Sequence, residues 1–370
     1  MHHFFGYYDK HPWDATGRYV LAMEVDFIDR PPTADDAAGI GMIDMETGEW
    51  KQLAETRAWC WQQSTMLQWL ETAPDRLIIF NDCRESQFVS VILDVHSGEE
   101  RVLPRPVYAA SRDGRQAVSL NFARVDRLRP GYGYKGVLDP GINHDHPDDD
   151  GIWWIDLDTG DNRLIISLQQ IVEFEHNETM PGTQHRFNHL QFNTDDSRFL
   201  MLHRWRPTPR KEYTRLLTAN PDGSDLCLVS DHDMISHFDW EDESHILAWA
   251  TRFDRGNYFY LFGDHGGDIE IVGKDVMTAD GHCSYSPDRQ WILNDTYPDA
   301  EESKRALYLY RPEENLRADI GRFYSPPEIT GEFRCDLHPR WNRDGTQICF
   351  DSVHEGDRQM YRIDVSEIVG

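Results

Sequence analysis

Four histidines stand in the same local frame: His189-Leu-Gln-Phe192, His237-Phe-Asp-Trp240, His282-Cys-Ser-Tyr285 and His338-Pro-Arg-Trp341. Each precedes an aromatic by three positions, and a polar turn and an apolar run follow. Imidazole changes charge near neutral pH and is the commonest metal ligand. Four of them brought to one point would make a metal centre or an acid–base site. Other groups able to take part lie close in sequence: Asp336 and Arg334 beside His338, and Arg204 within His203-Arg-Trp-Arg206, one strand after His189. Tyr132 and Tyr134, in Gly131-Tyr-Gly-Tyr134, are candidate proton donors on an insertion.

Only a repeating scaffold puts residues of the same frame in equivalent places. The chain reads as seven units, each with strand patterns separated by turns such as Ser111-Arg-Asp-Gly114, Ser286-Pro-Asp288 and Asn342-Arg-Asp-Gly345. Asp and Gly tolerate the left-handed backbone of tight hairpins, and strands with turns at fixed offsets are the signature of a propeller. The expected fold is therefore all-β: a seven-bladed β-propeller with four-stranded blades, forming one domain over 1–370. The seventh unit stops after its third strand. Met1–Phe5 is expected to supply its outer strand and close the ring with both termini. The inner strand of unit one is placed at Tyr8–Trp13. In units one to three the histidine position holds Lys10, Met66 and Val107, so the imidazoles gather on one side of the channel mouth, with Lys10 closing the arc. Long insertions at 26–38, 122–150 and 170–187 mark the functional face. The stretch Asn143–Asp150 reads as a solvated acidic loop.

A chain of 370 residues buries a large core, and 12 Trp, 15 Tyr and 17 Phe suit strands. The formal charge of −28 excludes a nucleic-acid partner, which needs a basic surface. It leaves room for a small anion held by clustered arginines. No apolar run is long enough to cross a bilayer, so no membrane partner is expected. The six scattered cysteines read as free thiols of a reducing compartment. No basic region with an apolar core opens the chain. The expected location is therefore cytoplasmic, or periplasmic if a signal has been trimmed.

The phrases Gly281-His-Cys-Ser-Tyr-Ser-Pro-Asp288 and Asp336-Leu-His-Pro-Arg-Trp-Asn-Arg-Asp-Gly345 are similar to TolB-type propeller repeats. The ordered inner-strand histidines resemble oligogalacturonate lyases and, more loosely, propeller-fold ulvan lyases. The resemblance is strongest over 185–370. It implies a divalent metal, usually manganese, with zinc or calcium as alternatives, held by His282 and His338. Asp336 stands where that family has a further histidine, and the family's glutamine ligand has no counterpart near Phe333. The resemblance places the catalytic base at His237 and arginines at Arg334 and at Arg204 or Arg215.

A uronate lyase removes the weakly acidic proton beside the sugar carboxylate and expels the 4-linked group. It needs a cation or arginine against the carboxylate and a base within hydrogen-bond reach. The candidates are His237 and His189 as base or substrate contact, and His282, His338, Asp336 and His237 as metal ligands. Arg204 and Arg334 would meet the carboxylate, and Tyr134 would be the proton donor. Asn188 and Gln191 suit sugar hydroxyls. Since all four histidines share one register, which is base and which is ligand stays open. His203 reads as a core residue; His11, His144, His146, His185, His232 and His354 read as surface or loop. The partner implied is an acidic oligosaccharide or polysaccharide. The alternative is a non-catalytic propeller that binds a glycan or protein, its histidines lining a polar tunnel. A serine hydrolase is disfavoured by the lack of a Gly-x-Ser-x-Gly elbow and of an appended α/β domain.

Overall fold

A computed structural model describes residues 1–370. Seven antiparallel sheets follow one another along the chain, six with four strands and the last with three. Blade one comprises His2–Phe4, Tyr19–Val25, Ala38–Asp44 and Trp50–Thr56; blade two Gln68–Trp69, Leu77–Arg84, Gln87–Asp94 and Glu100–Leu103. Blade three has Ala109–Ala110, Gln116–Ser119, Gly151–Asp156 and Asn162–Ser167; blade four His185–Phe192, Phe199–Thr208, Lys211–Ala219 and Cys227–Ser230. Blade five has Ile235–Trp240, His245–Arg252, Gly256–Gly263 and Glu270–Val272; blade six Ser284–Tyr285, Ile292–Asp295, Lys304–Arg311 and Leu316–Tyr324. Blade seven has Arg340–Trp341, Gln347–Ser352 and Gln359–Asp364. The expected seven-bladed β-propeller is the observed fold, and no helix is long and apolar enough to cross a membrane.

The repeated aromatics explain how blades adhere. Phe192, Trp240, Tyr285 and Trp341 are all buried, and each packs against the preceding blade. Trp240, for instance, joins Leu200, Leu202 and Leu216 of blade four. A buried side chain of that size contributes about 1.5–3 kcal/mol. The three-residue spacing to histidine then has a physical consequence. In a regular strand a residue three positions away points to the opposite side, which here would be the interior between blades. Bulges prevent this. The pairing shifts register between Asn188 and Leu190 and between Ile235 and Phe238. His189 and His338 take left-handed backbone, at φ 54° and 43°. A bulge re-aims a side chain, and here it turns the imidazoles toward the axis.

The amino-terminal segment departs from expectation. Met1–Phe5 is not the outer strand of blade seven. His2–Phe4 pairs with Met23–Val25 on the inner edge of blade one, and it meets blade seven through the His3 N–H, which donates to the Arg358 carbonyl at 2.9 Å. Nor is Tyr8–Trp13 a continuous inner strand: only Trp13 bridges to Val20. Residues 5–11 leave the sheet and run down the axis. The backbone N–H groups of Phe5 and Gly6 donate to the Asp351 carboxylate at 3.2–3.3 Å. The Tyr8 hydroxyl both donates to and accepts from the backbone of Phe238, at 2.9 and 3.0 Å. The insertion 122–150 packs down through Arg124, whose buried guanidinium donates to the carbonyls of His185, Gly141, His144 and Asp145. All six cysteines are free thiols, four of them buried.

Candidate metal and acid–base site

Three of the four frame histidines form a contiguous row. Ring centroids of His237 and His282 lie 4.0 Å apart, and those of His282 and His338 4.2 Å apart. The fourth does not join them. Tyr7 of the axial segment stands between, stacked on His189 at 5.0 Å and edge-on to His338 at 5.1 Å. The expectation of four converging imidazoles thus becomes three and one, because the threaded segment occupies the middle of the channel. His189 Nδ1 is within hydrogen-bonding range of Gln63 Nε2 and the Tyr108 hydroxyl, both at 3.2 Å, and its Nε2 faces the Tyr7 hydroxyl at 3.5 Å.

Each histidine of the row is held differently. His282 is buried, with Nδ1 against both oxygens of Asp295 at 2.9 and 3.0 Å. The same carboxylate accepts the His282 backbone N–H at 2.7 Å. His237 has Nδ1 on Asp280 Oδ1 at 2.9 Å. A carboxylate on Nδ1 fixes the tautomer that leaves Nε2 free as ligand or base. His338 is fully buried, yet neither ring nitrogen has a partner. A buried polar group left unpaired costs about 1–3 kcal/mol, so this ring asks for an ion or an ordered water. Burial first, then His282, holds its pKa well below the ordinary value, despite Asp336. The ring is neutral and able to ligate at neutral pH.

Asp336 completes the group. Its carboxylate and the ligating nitrogens of His282 and His338 all lie within 4.8 Å of one another, and all three residues are buried. Burial opposes the charge on Asp336, but Arg334 and Arg305 outweigh it and keep the carboxyl well below its usual range. Arg334 Nε and Arg305 Nη2 sit 2.7 and 2.8 Å from its two oxygens. Two neutral imidazoles and one carboxylate make a fitting set for a divalent cation. Asn143–Asp150 forms no comparable cluster.

The surroundings are cationic. Arg334 also donates to the Tyr132 hydroxyl at 2.7 Å. Glu212 accepts from Arg186, from Arg204 at 3.2 Å and from Arg206 at 2.8 Å, so one carboxylate faces three guanidiniums. Burial, then Arg204, His237 and Arg129, drives the pKa of His189 well below normal. Arg129 stacks over Tyr132 at 5.1 Å and makes no ion pair. Arg215 is structural: it donates to the carbonyls of Ile171, Phe174 and Glu175.

Several expectations need correcting. Tyr134 is buried in the core, stacked on Phe122 at 4.3 Å, and its hydroxyl accepts from Asn81. The tyrosines near the histidines are Tyr7, Tyr8, Tyr108, Tyr132 and Tyr297; of these Tyr297 is exposed, 6.2 Å from His237 and 6.0 Å from His282. Gln191 donates to Asp239. His185 is buried rather than on the surface, bonded through Nδ1 to His203 Nε2 at 2.9 Å. Lys10 is paired with Asp9 beyond the tyrosines and closes no arc of histidines. Sequence reading missed Asp280 and Asp295. A signal existed, since Asp82, Asp295 and Asp351 all fall at or near the end of a blade's second strand.

No sequence family matches the chain, and neither does any curated protein. Solved structures do. An oligogalacturonate lyase in complex with manganese superposes with a TM-score of 0.68 at 16% identity, over 98% of this chain and 90% of that one. The β-propeller domain of the trilobed protease from Pyrococcus furiosus gives 0.56 at 11% identity, over 98% and 96%. Tricorn protease gives 0.55 at 11%, over 99% of this chain and 36% of that chain. By sheet order and superposition together, this chain is a seven-bladed β-propeller that resembles the fold of oligogalacturonate lyase.

Proposed function

We propose that the protein is a lyase that cleaves uronate-containing oligosaccharides or polysaccharides by β-elimination, with a divalent cation in the site. The observation that carries this reading is the fully buried His338 with both ring nitrogens unpartnered, next to His282 and Asp336 and one ring beyond His237. One structural neighbour that shares the fold over nearly the whole chain is an oligogalacturonate lyase in complex with manganese. The bound cation would neutralise the substrate carboxylate and so acidify the adjacent carbon.

The chain's own residues supply the rest. His237, oriented by Asp280 at 2.9 Å, is the base that takes the proton from the carbon beside the carboxylate. The electron pair of that C–H bond forms the ring double bond, and the bond to the 4-linked oxygen breaks. Tyr297 is the proton donor to that oxygen. It is exposed beside His237 and His282, and a phenol keeps its proton at neutral pH. Arg129 and Arg204 meet further carboxylates of the chain. His282, His338 and Asp336 would hold the cation.

The product carries a double bond conjugated to its carboxylate and absorbs at short ultraviolet wavelengths, where the substrate does not. Incubation with a panel of uronate polymers should raise that absorbance. A chelator should remove the rise, and added manganese should restore it. No rise on any uronate, with no metal retained by the purified protein, leaves a glycan-binding propeller instead.

A further inference from the structure

The axial segment reaches a second place rich in charge, at the far end of the channel, where inner strands run into their turns. Beyond Tyr8, two adjoining cavities of about 260 and 240 Å³ share Asp9, Lys10, His11, Arg112, Gln191 and Arg343. Arg289 lines the second of them. Arg112, Arg289 and Arg343 come from the turns that follow the inner strands of blades three, six and seven. Tyr8, clamped to the Phe238 backbone through both hydrogen bonds of its hydroxyl, separates this end from the histidine row.

The pairing of these cations is incomplete. Lys10 is matched by Asp9 at 2.7 Å, and Arg343 by Glu71 at 2.8 and 3.0 Å. Arg289 comes no closer than 3.8 Å to Asp239 and spends one Nη on the Trp240 carbonyl. Asp239 is already engaged by Gln191 and by the backbone N–H groups of Trp240 and Tyr285. The Arg112 guanidinium has no carboxylate partner, although the backbone N–H of Arg112 donates to Asp196 Oδ1 at 2.7 Å. Its Nε donates to the Asn193 carbonyl at 3.2 Å, and both Nη groups are free. Two guanidiniums in a concave site, one without an ion pair and one held at 3.8 Å from its carboxylate, are free to turn toward an anion. Planar, forked donors suit oxyanions best.

The geometry points to a binding site for a small multivalent oxyanion, phosphate-based or polycarboxylate, between Arg112, Arg289 and His11. His11 is exposed at the mouth of both cavities, and its ring makes no hydrogen bond. The neutral ring has an N–H to donate to a bound anion.

Calorimetric titration of the whole protein with inorganic pyrophosphate and, separately, with citrate tests the site. Saturable 1:1 binding is expected for at least one probe, and whichever binds tighter assigns the class. Arg112→Ala, which loses a single hydrogen bond, should weaken it about tenfold or more. Arg112→Glu should abolish it, and Arg112→Lys should retain part of it. Both probes also chelate metals, so His282→Ala serves as the control and should bind as the wild type does. Non-saturating heats for both probes overturn the proposal. So does Arg112→Ala binding like wild type, or His282→Ala losing the signal.

Discussion

At the scale of single residues, the site separates groups that do chemistry from groups that only stand near it. His237 and His282 share one device, a carboxylate on Nδ1, but the carboxylates differ. Asp295 is fully buried and also caps the His282 backbone, whereas Asp280 is partly exposed and holds only the ring. A buried clamp suits a ligand, and an exposed one suits a base that must shed its proton to solvent. His237→Ala is expected to lower kcat/KM by about 10²–10⁴-fold with metal content unchanged. Asp280→Asn should give a smaller loss. His338→Ala should instead lower the metal measured in purified protein by elemental analysis, and the activity with it. Equal metal loss from His237→Ala would make that ring a ligand rather than the base. The two tyrosine assignments separate in the same way. Tyr297→Phe should slow turnover at constant stability. Tyr134→Phe should leave turnover alone and cost about 1 kcal/mol for the Asn81 bond, read from denaturant midpoints.

At the scale of elements, the inner strands were legible and the axial segment was not. The histidine–aromatic frame repeats because each aromatic must wedge against the previous blade, and burial of a ring leaves a pattern in sequence. The bulges were hidden. Nothing in Asn188-His-Leu190 distinguishes a left-handed histidine from a regular one, although Met66 takes the same φ, 55°, at the equivalent place. Residues 5–11 misled because Tyr8–Trp13 has strand-like composition, while its actual partners are distant: Asp351, Phe238 and His189. Gly6 is what permits the departure. Its φ is +110°, and a Cβ there would lie 2.8 Å from Ser64 Cβ. Left-handed strain and overlap together cost about 1–3 kcal/mol or more. Gly6→Ala should therefore lower the denaturant midpoint and displace Tyr7. Activity should fall with it, since Tyr7 packs against both His189 and His338. Unchanged activity in a folded Gly6→Ala protein would mean that the segment merely plugs the channel.

At the scale of the whole molecule, the ring makes several histidines structural as well as chemical, and this sets its response to acid. His185 and His203 are buried side by side and joined by a 2.9 Å bond that leaves room for one proton between the facing nitrogens. Burial brings His185 down to about 3, and burial with Arg215 holds His203 well below its ordinary value. In the unfolded chain both titrate near 6.5. Below that pH the unfolded state takes up protons that the folded state refuses, so folding stability is complete above about pH 6.5 and falls as the pH drops. Each such group removes about 1.4 kcal/mol per pH unit until its folded pKa is reached. Asp336, held low by Arg334 and Arg305, acts in the same direction but only below the ordinary carboxylate range. Between pH 6.5 and 4.5 the buried histidines therefore govern. Denaturant midpoints should decline steadily across that window, and His203→Gln, which keeps a hydrogen-bonding side chain but cannot titrate, should flatten the decline by about one proton's worth of slope. A wild-type midpoint that stays level down to pH 4.5 would mean that these rings accept protons in the folded ring, and the buried pair would not be the acid-labile joint of the propeller.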